Sequence, residues 1–113
     1  MVYLVELDIP EEIEDELDQT GGIMELMKSI DHDEIEDQSE IYKALSKPLR
    51  LKILTLLDQQ NLCVCLLKDM LDIEDSKLSY HLSVLKDVGL IEGKRKANFV
   101  IYRITEKGKN FAL

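Results

Sequence analysis

Residues 76–91 read Ser76-Lys77-Leu78-Ser79-Tyr80-His81-Leu82-Ser83-Val84-Leu85-Lys86-Asp87-Val88-Gly89-Leu90-Ile91, and this stretch decides the fold. Leu78, Leu82, Leu85 and Val88 recur at intervals of three and four, which gathers apolar side chains on one face of an α-helix. Lys77, Ser79, Tyr80, Ser83 and Lys86 fall on the other face. Gly89 stands where a residue in the left-handed conformation ends a helix, so the spacing predicts a helix over 76–88. The connection before it, Asp72-Ile73-Glu74-Asp75, is short and polar, with Glu74 or Asp75 beside the N-cap.

Downstream of Gly89 the apolar period changes from helical to alternating. Leu90-Ile91-Glu92 and residues 98–104 read as two strands, with Val100, Tyr102 and Ile104 on one face. Gly93-Lys94-Arg95-Lys96-Ala97 between them is a basic turn, and Thr105-Glu106 opens a last short helix towards Leu113. Upstream, residues 62–71 read as a helix with Leu62, Leu66, Leu67 and Met70 as its buried stripe. Pro48 starts the helix before that, since its missing N–H is not needed at a helix start. Leu49, Ile53, Leu56 and Leu57 line it, with Arg50 and Lys52 facing out. Ile41, Ala44 and Leu45 mark a helix that gathers strength from Glu34 and ends near Ser46-Lys47.

A helix, a short turn, a polar-faced helix and a basic-tipped hairpin are the parts of a winged helix-turn-helix. The DNA major groove admits one α-helix, whose exposed face must offer hydroxyls and donors to base edges. Ser76, Lys77, Ser79, Tyr80 and His81 supply them, with Lys86 further along, and Lys94, Arg95 and Lys96 can meet backbone phosphates. The sequence therefore predicts a mainly α fold with a small β-hairpin and a double-stranded DNA operator as partner.

The overall charge of −9 argues against DNA until its distribution is considered. Residues 1–40 hold 15 of the 23 acids and one base, Lys28, a local net of −14. Residues 41–113 hold the other 8 acids and 13 bases, a net of +5. The chain thus reads as an acidic N-terminal extension, 1–37, followed by a DNA-binding and dimerisation domain, 38–113. In the extension, Val2 to Ile9 alternates like a short strand or arm. Pro10-Glu11-Glu12 suits a helix start, Gly21-Gly22 breaks it, and Ile23, Leu26, Met27 and Ile30 form a second stripe. Asp31-His32-Asp33 reads as a loop. Tyr3, Val5, Leu7, Ile13, Leu17, Ile23, Leu26 and Met27 look like packing residues, expected to dock on the domain or across a dimer.

Three stretches together resemble the ArsR/SmtB family of repressors: Ile41 to Leu54, with its Ala44-Leu45-Ser46-Lys47-Pro48-Leu49-Arg50; Leu62-Cys63-Val64-Cys65-Leu66-Leu67; and Ser76 to Ile91. The likeness covers about residues 38–106. It implies a homodimer on a two-fold related operator, with an effector that usually releases DNA. In such families the Cys-Val-Cys segment contributes to metalloid binding, which points to Cys63 and Cys65 as soft ligands for As(III), Cd(II), Pb(II) or Zn(II). No third cysteine exists, so completion would draw on His32, an N-terminal carboxylate, a partner subunit or an exogenous thiol. The alternative at these positions is two small packing residues or a thiol redox switch. Departures from the pattern are Asp75, where the family often has Gln, and Leu66, where Asp is usual after the second cysteine. The terminal helix lacks the His/Asp ligand set of zinc-sensing relatives.

A different class of function, a protein-interaction module using the acidic segment, would have no need of the +5 segment and its basic wing. No nucleophile–base pair, phosphate loop or catalytic metal triad is evident, so no enzyme is expected. With no apolar run near ~20 residues and no signal segment, the expected location is the cytoplasm, with no membrane partner.

Overall fold

The computed structural model describes residues 8–113, so the arm expected at Val2–Ile9 lies, apart from its last two residues, outside the described residues. The chain divides into two compact units, Met1–Glu36 and Asp37–Leu113, with the boundary inside a helix.

In the first unit α1 (Glu11–Gln19) starts directly after Pro10, with Glu11, Glu12 and Glu14 in its first turn, where the helix dipole favours negative charge. Gly21 and Gly22 adopt φ of 92° and 93° and turn the chain into α2 (Ile23–Lys28). Neither helix has a buried residue, and Ile13, Met24, Leu26, Met27 and Ile30 are all exposed. Helix α3 then runs His32–Ala44, and the Asp31 carboxylate accepts the Glu34 N–H at 3.0 Å to cap it. His32 therefore begins a helix and does not lie in the loop expected from its two flanking aspartates.

The second unit contains the rest of α3, then α4 (Pro48–Gln59), β1 (Leu62–Cys63), α5 (Val64–Leu71), α6 (Asp75–Asp87), β2 (Ile91–Lys96), β3 (Phe99–Ile104) and α7 (Glu106–Lys109). Its core gathers Ile41, Ile53, Leu54, Leu57, Leu62, Leu67, Leu78, Leu82, Leu85, Leu90 and Ile91. Removing each such side chain from water stabilises the fold by roughly 1.5–3 kcal/mol. Pro48 occupies the first turn of α4, as its chemistry requires.

Two elements differ from the sequence reading. Residues 62–71 are not one helix: Leu62 and Cys63 are extended and pair with Tyr102 and Ile101 of β3, and α5 begins only at Val64. The stripe expected there is correspondingly broken, with Leu62 and Leu67 buried and Leu66 and Met70 exposed. Secondly, Lys94, Arg95 and Lys96 belong to β2, paired with Ile101, Val100 and Phe99, and the turn is only Ala97-Asn98. The sheet therefore has three strands in the order β1-β3-β2. The last helix is also shorter than expected, ending at Lys109.

The C-terminal end of α6 is closed by the predicted glycine. Gly89 adopts φ 78°, its N–H bonds to the Lys86 carbonyl at 2.9 Å, and the Leu90 N–H reaches back to Leu85 at 3.1 Å. These two bonds are a Schellman cap, with Leu85 and Leu90 both buried beside it. Thr105 fastens α7 to the same place. Its Oγ1 donates to the Gly89 carbonyl at 2.6 Å and accepts the Gly108 N–H at 3.0 Å.

Candidate nucleic-acid interface and thiol pair

Helix α5 ends at Asp72, which takes the left-handed conformation at φ 50°. Asp is among the few residues with a Cβ that tolerate this region. Only Ile73 and Glu74 then separate the chain from α6. Lys68 of α5 meets the Asp75 carboxylate at 3.0 Å across this turn. The two side chains are 46% and 76% exposed, so the pair adds at most about 1 kcal/mol. Asp75 thus engages α5, and no side chain caps the start of α6.

With Leu78, Leu82 and Leu85 buried, the helical period turns Ser76, Ser79, Tyr80, Ser83 and Lys86 outward, and all five are exposed, as is Lys77. His81 lies at the edge of this face, half-buried. It accepts a hydrogen bond at Nδ1 from Arg50 Nε at 3.0 Å. Burial holds its pKa below the ordinary histidine value, and the Arg50, Lys77 and Lys47 charges act in the same direction. Its ring tilts against Tyr80 with centroids 5.4 Å apart.

Arg50 is the site residue that the sequence reading misplaced. It does not face out but is 6% exposed, with its Nη1 donating to the Ala44 carbonyl at 3.1 Å and its guanidinium 5.4 Å from the Tyr80 ring centre. The signal was present, because Ile53, Leu54 and Leu57 form a buried stripe that extrapolates back three residues to position 50.

In the wing, strand alternation separates the three bases. Lys94 and Lys96 share a face with Glu92, while Arg95 points to the face that begins at buried Ile91. Glu92 forms an ion pair with Arg103, its cross-strand partner. All three bases are exposed. The two-residue turn requires Ala97 to adopt φ 54°, unfavourable for a residue with a Cβ.

The cysteines meet because they straddle a junction. Cys63 is extended at the N-cap of α5 and Cys65 lies in its first turn, so their Sγ atoms come to 2.8 Å, much closer than two positions on one helix would allow. Both thiols are free. The hydrogen bond from Cys65 lowers the Cys63 pKa below the ordinary thiol value, and the same bond raises that of Cys65. Among the described residues no group of three His, Cys, Asp or Glu side chains is arranged to hold a metal ion.

A recognition helix set against a core, joined by a three-residue turn to its supporting helix and followed by a basic two-stranded wing, defines a winged helix-turn-helix regulator. Residues 47–93 match the family model described as bacterial regulatory protein, arsR family. An HTH-type transcriptional regulator of Methanocaldococcus jannaschii is 35% identical over 72 residues, which are 63% of this chain and 81% of the relative. The arsenical resistance operon repressor of Bacillus subtilis is 37% identical over 70 residues, 61% of this chain and 67% of the relative. Among solved structures, the homodimeric winged helix-turn-helix DNA-binding domain from Mycobacterium bovis is similar at a TM-score of 0.65 and 29% identity, covering 70% of this chain and 74% of that one. The match spans only 56% of the SmtB repressor homologue of Synechocystis. This chain belongs to the ArsR family of transcriptional regulators. Among its described residues no helix is long and apolar enough to cross a membrane.

Proposed function

We propose that the chain is a repressor that binds a DNA operator as a homodimer and that a thiophilic ion held by Cys63 and Cys65 changes its affinity for that operator. The observation that carries the DNA reading is the exposed face of α6, where Ser76, Lys77, Ser79 and Tyr80 stand free of the core that Leu78, Leu82 and Leu85 enter. Ser76, Ser79 and Tyr80 read base edges, while Lys77, His81, Lys86, Lys94, Arg95 and Lys96 meet phosphates. The domain responsible is 38–113, and 1–37 is an acidic extension to it. Exposed Tyr42 and Leu113, with Phe111 packed edge-on to Tyr42 at 5.9 Å, supply the apolar face for a second copy.

The thiol pair supports the sensing part. Two sulfurs so close present a ready chelate for As(III), Cd(II), Pb(II) or Zn(II), and the depressed pKa of Cys63 favours the thiolate that such ions require. For Zn(II), metal–sulfur bonds of about 2.3 Å at a tetrahedral angle set the sulfurs roughly 3.8 Å apart, so the pair opens by about 1 Å to serve. That opening is inexpensive at exposed Cys65. The two thiols are part of a ligand set, and further donors come from outside the pair.

The test is a gel shift with the duplex upstream of the chain's own gene, at two salt concentrations, against a scrambled duplex. Preference for the upstream duplex is expected. Equal binding to both would remove the regulator reading. Cd(II) should produce thiolate-to-metal absorbance in the wild type and shift the operator affinity, and Cys63→Ser with Cys65→Ser should abolish both effects.

A further inference from the structure

Arg50 is the buried charged residue of the second unit, and its partners show what it does. Its guanidinium carries only N–H donors. A ring nitrogen that faces it at 3.0 Å must therefore offer a lone pair, so Nδ1 of His81 is unprotonated and the proton of the neutral imidazole sits on Nε2. Among the described residues no buried side-chain nitrogen or oxygen lacks a partner, and the hydrogen bond of His81 is made at Nδ1, so Nε2 reaches solvent. The groups around the ring are Arg50 of α4, Lys47 just before α4, and Lys77 and Tyr80 of α6. Three of the four are cationic, a setting that attracts an anion to the outward N–H.

We propose that Arg50 is a positioning residue for DNA binding: by donating to Nδ1 it fixes His81 as the Nε2–H tautomer, which presents one outward donor to a phosphate oxygen of the duplex. The proposal rests on the DNA-binding reading above. It accounts for a buried guanidinium that would otherwise be weak evidence of stability, since burying a charge costs about as much as its partners return. It also gives the positive setting of the ring a role. Burial and the surrounding cations together favour the neutral ring, so the donor is a single N–H in a fixed direction.

The test begins with the imidazoles. The chain has two histidines, His32 and His81, and a His32→Gln variant assigns the ring nitrogens. Long-range proton–nitrogen spectra near neutral pH should show His81 protonated on Nε2 alone. In Arg50→Met the ring should average between tautomers and its titration midpoint should rise. Affinity is then measured on the upstream duplex and on a scrambled one. His81→Phe should weaken both by about tenfold, the worth of one hydrogen bond to a charged group. Arg50→Met should cost less, and the double variant should bind no worse than His81→Phe, because Arg50 acts through the imidazole.

A wild-type His81 that averages between tautomers, or is protonated on Nδ1, overturns the proposal. So do losses that multiply in the double variant, or a loss confined to the upstream duplex, which would assign His81 to a base edge. If Arg50→Met does not fold, the wild-type tautomer and the His81→Phe losses on the two duplexes decide alone. A wild type that binds neither duplex, with its tautomer fixed as stated, overturns the DNA-binding reading itself. The ring spectra keep that outcome distinct from failure of the lock.

Discussion

Alanine substitution of the wing bases gives a salt dependence that follows from strand geometry. Lys94 and Lys96 leave one face of β2 and Arg95 the other, so a wing laid edge-on to the duplex offers cations to both of its sides. Each phosphate neutralised contributes about −0.9 to the slope of log affinity against log salt. Arg95→Ala should therefore flatten the slope by about 0.9 per wing, and the triple variant by about 2.7. Between roughly 50 and 200 mM salt, a fourfold range, the first change narrows the gap to wild type about 3.5-fold and the second about 40-fold for each wing on the duplex, and the two wings of a dimer multiply these factors. Fluorescence anisotropy on the upstream and scrambled duplexes across that range reads both slopes. The loss should appear on both sequences alike, because phosphates carry no sequence information. Parallel lines for the wild type and the triple variant would refute the placing of the wing on DNA. A full loss from Arg95→Ala alone would show that only one face of the hairpin meets the backbone.

Other expectations follow from single contacts. Gly108 is buried, and a Cβ there would press on the Leu90 carbonyl and come within 2.7 Å of Ile104 Cγ1. Gly108→Ala should therefore cost about 1–3 kcal/mol despite the better helix propensity of alanine, lowering Tm by ~4–8 °C per kcal/mol in a thermal melt; an unchanged or higher Tm would show that propensity wins. Cys63, its pKa lowered, carries thiolate at a lower pH than Cys65, whose pKa is raised, so iodoacetamide at about pH 8 should label Cys63 first by peptide mass spectrometry. Cys65→Ala removes the bond that lowers the Cys63 pKa and should slow that labelling; equal rates in the two proteins would deny the coupling. Deleting residues 1–33 removes exposed Ile13, Met24, Leu26, Met27 and Ile30 and should weaken the dimer in sedimentation. Tighter DNA binding with an intact dimer would instead mark the extension as a competitor for the basic surface.

The elements most legible in the sequence are those whose signals are local. The buried stripe of α6, its glycine cap and Pro48 at the start of α4 all follow from residues within a turn or two of one another. The start of α3 at His32 was missed through a local cap at Asp31, but in the other misreadings a partner outside the local pattern decided the outcome. Leu62 and Cys63 continue the helical spacing of α5, yet the open edge of β3 pairs with them and draws them into the sheet. The basic residues of the wing look like a loop by composition, and it is pairing with Phe99, Val100 and Ile101 that makes them strand. Arg50 looks exposed by residue type, and its burial depends on acceptors 6 and 31 residues away. At the thiols, Cys-x-Cys was visible as a motif, but their approach to 2.8 Å needed the strand-to-helix change that local periodicity conceals.

That change has a consequence for how far a signal must travel. Cys63 is the register partner of Ile101, and Ile101 is the register partner of Lys94, so the sulfur and the wing cation belong to one row across the sheet. Two strand spacings, about 10 Å, separate their backbones. The same two residues, Leu62 and Cys63, are all that holds β1 to β3, so a ligand that rotates Cys63 out of its extended conformation disturbs one of only two ladder rungs. The wing strand then loses its lateral support on the side away from β2. A ligand that moved Cys63 would thus reach the hairpin that carries Lys94, Arg95 and Lys96 through this ladder.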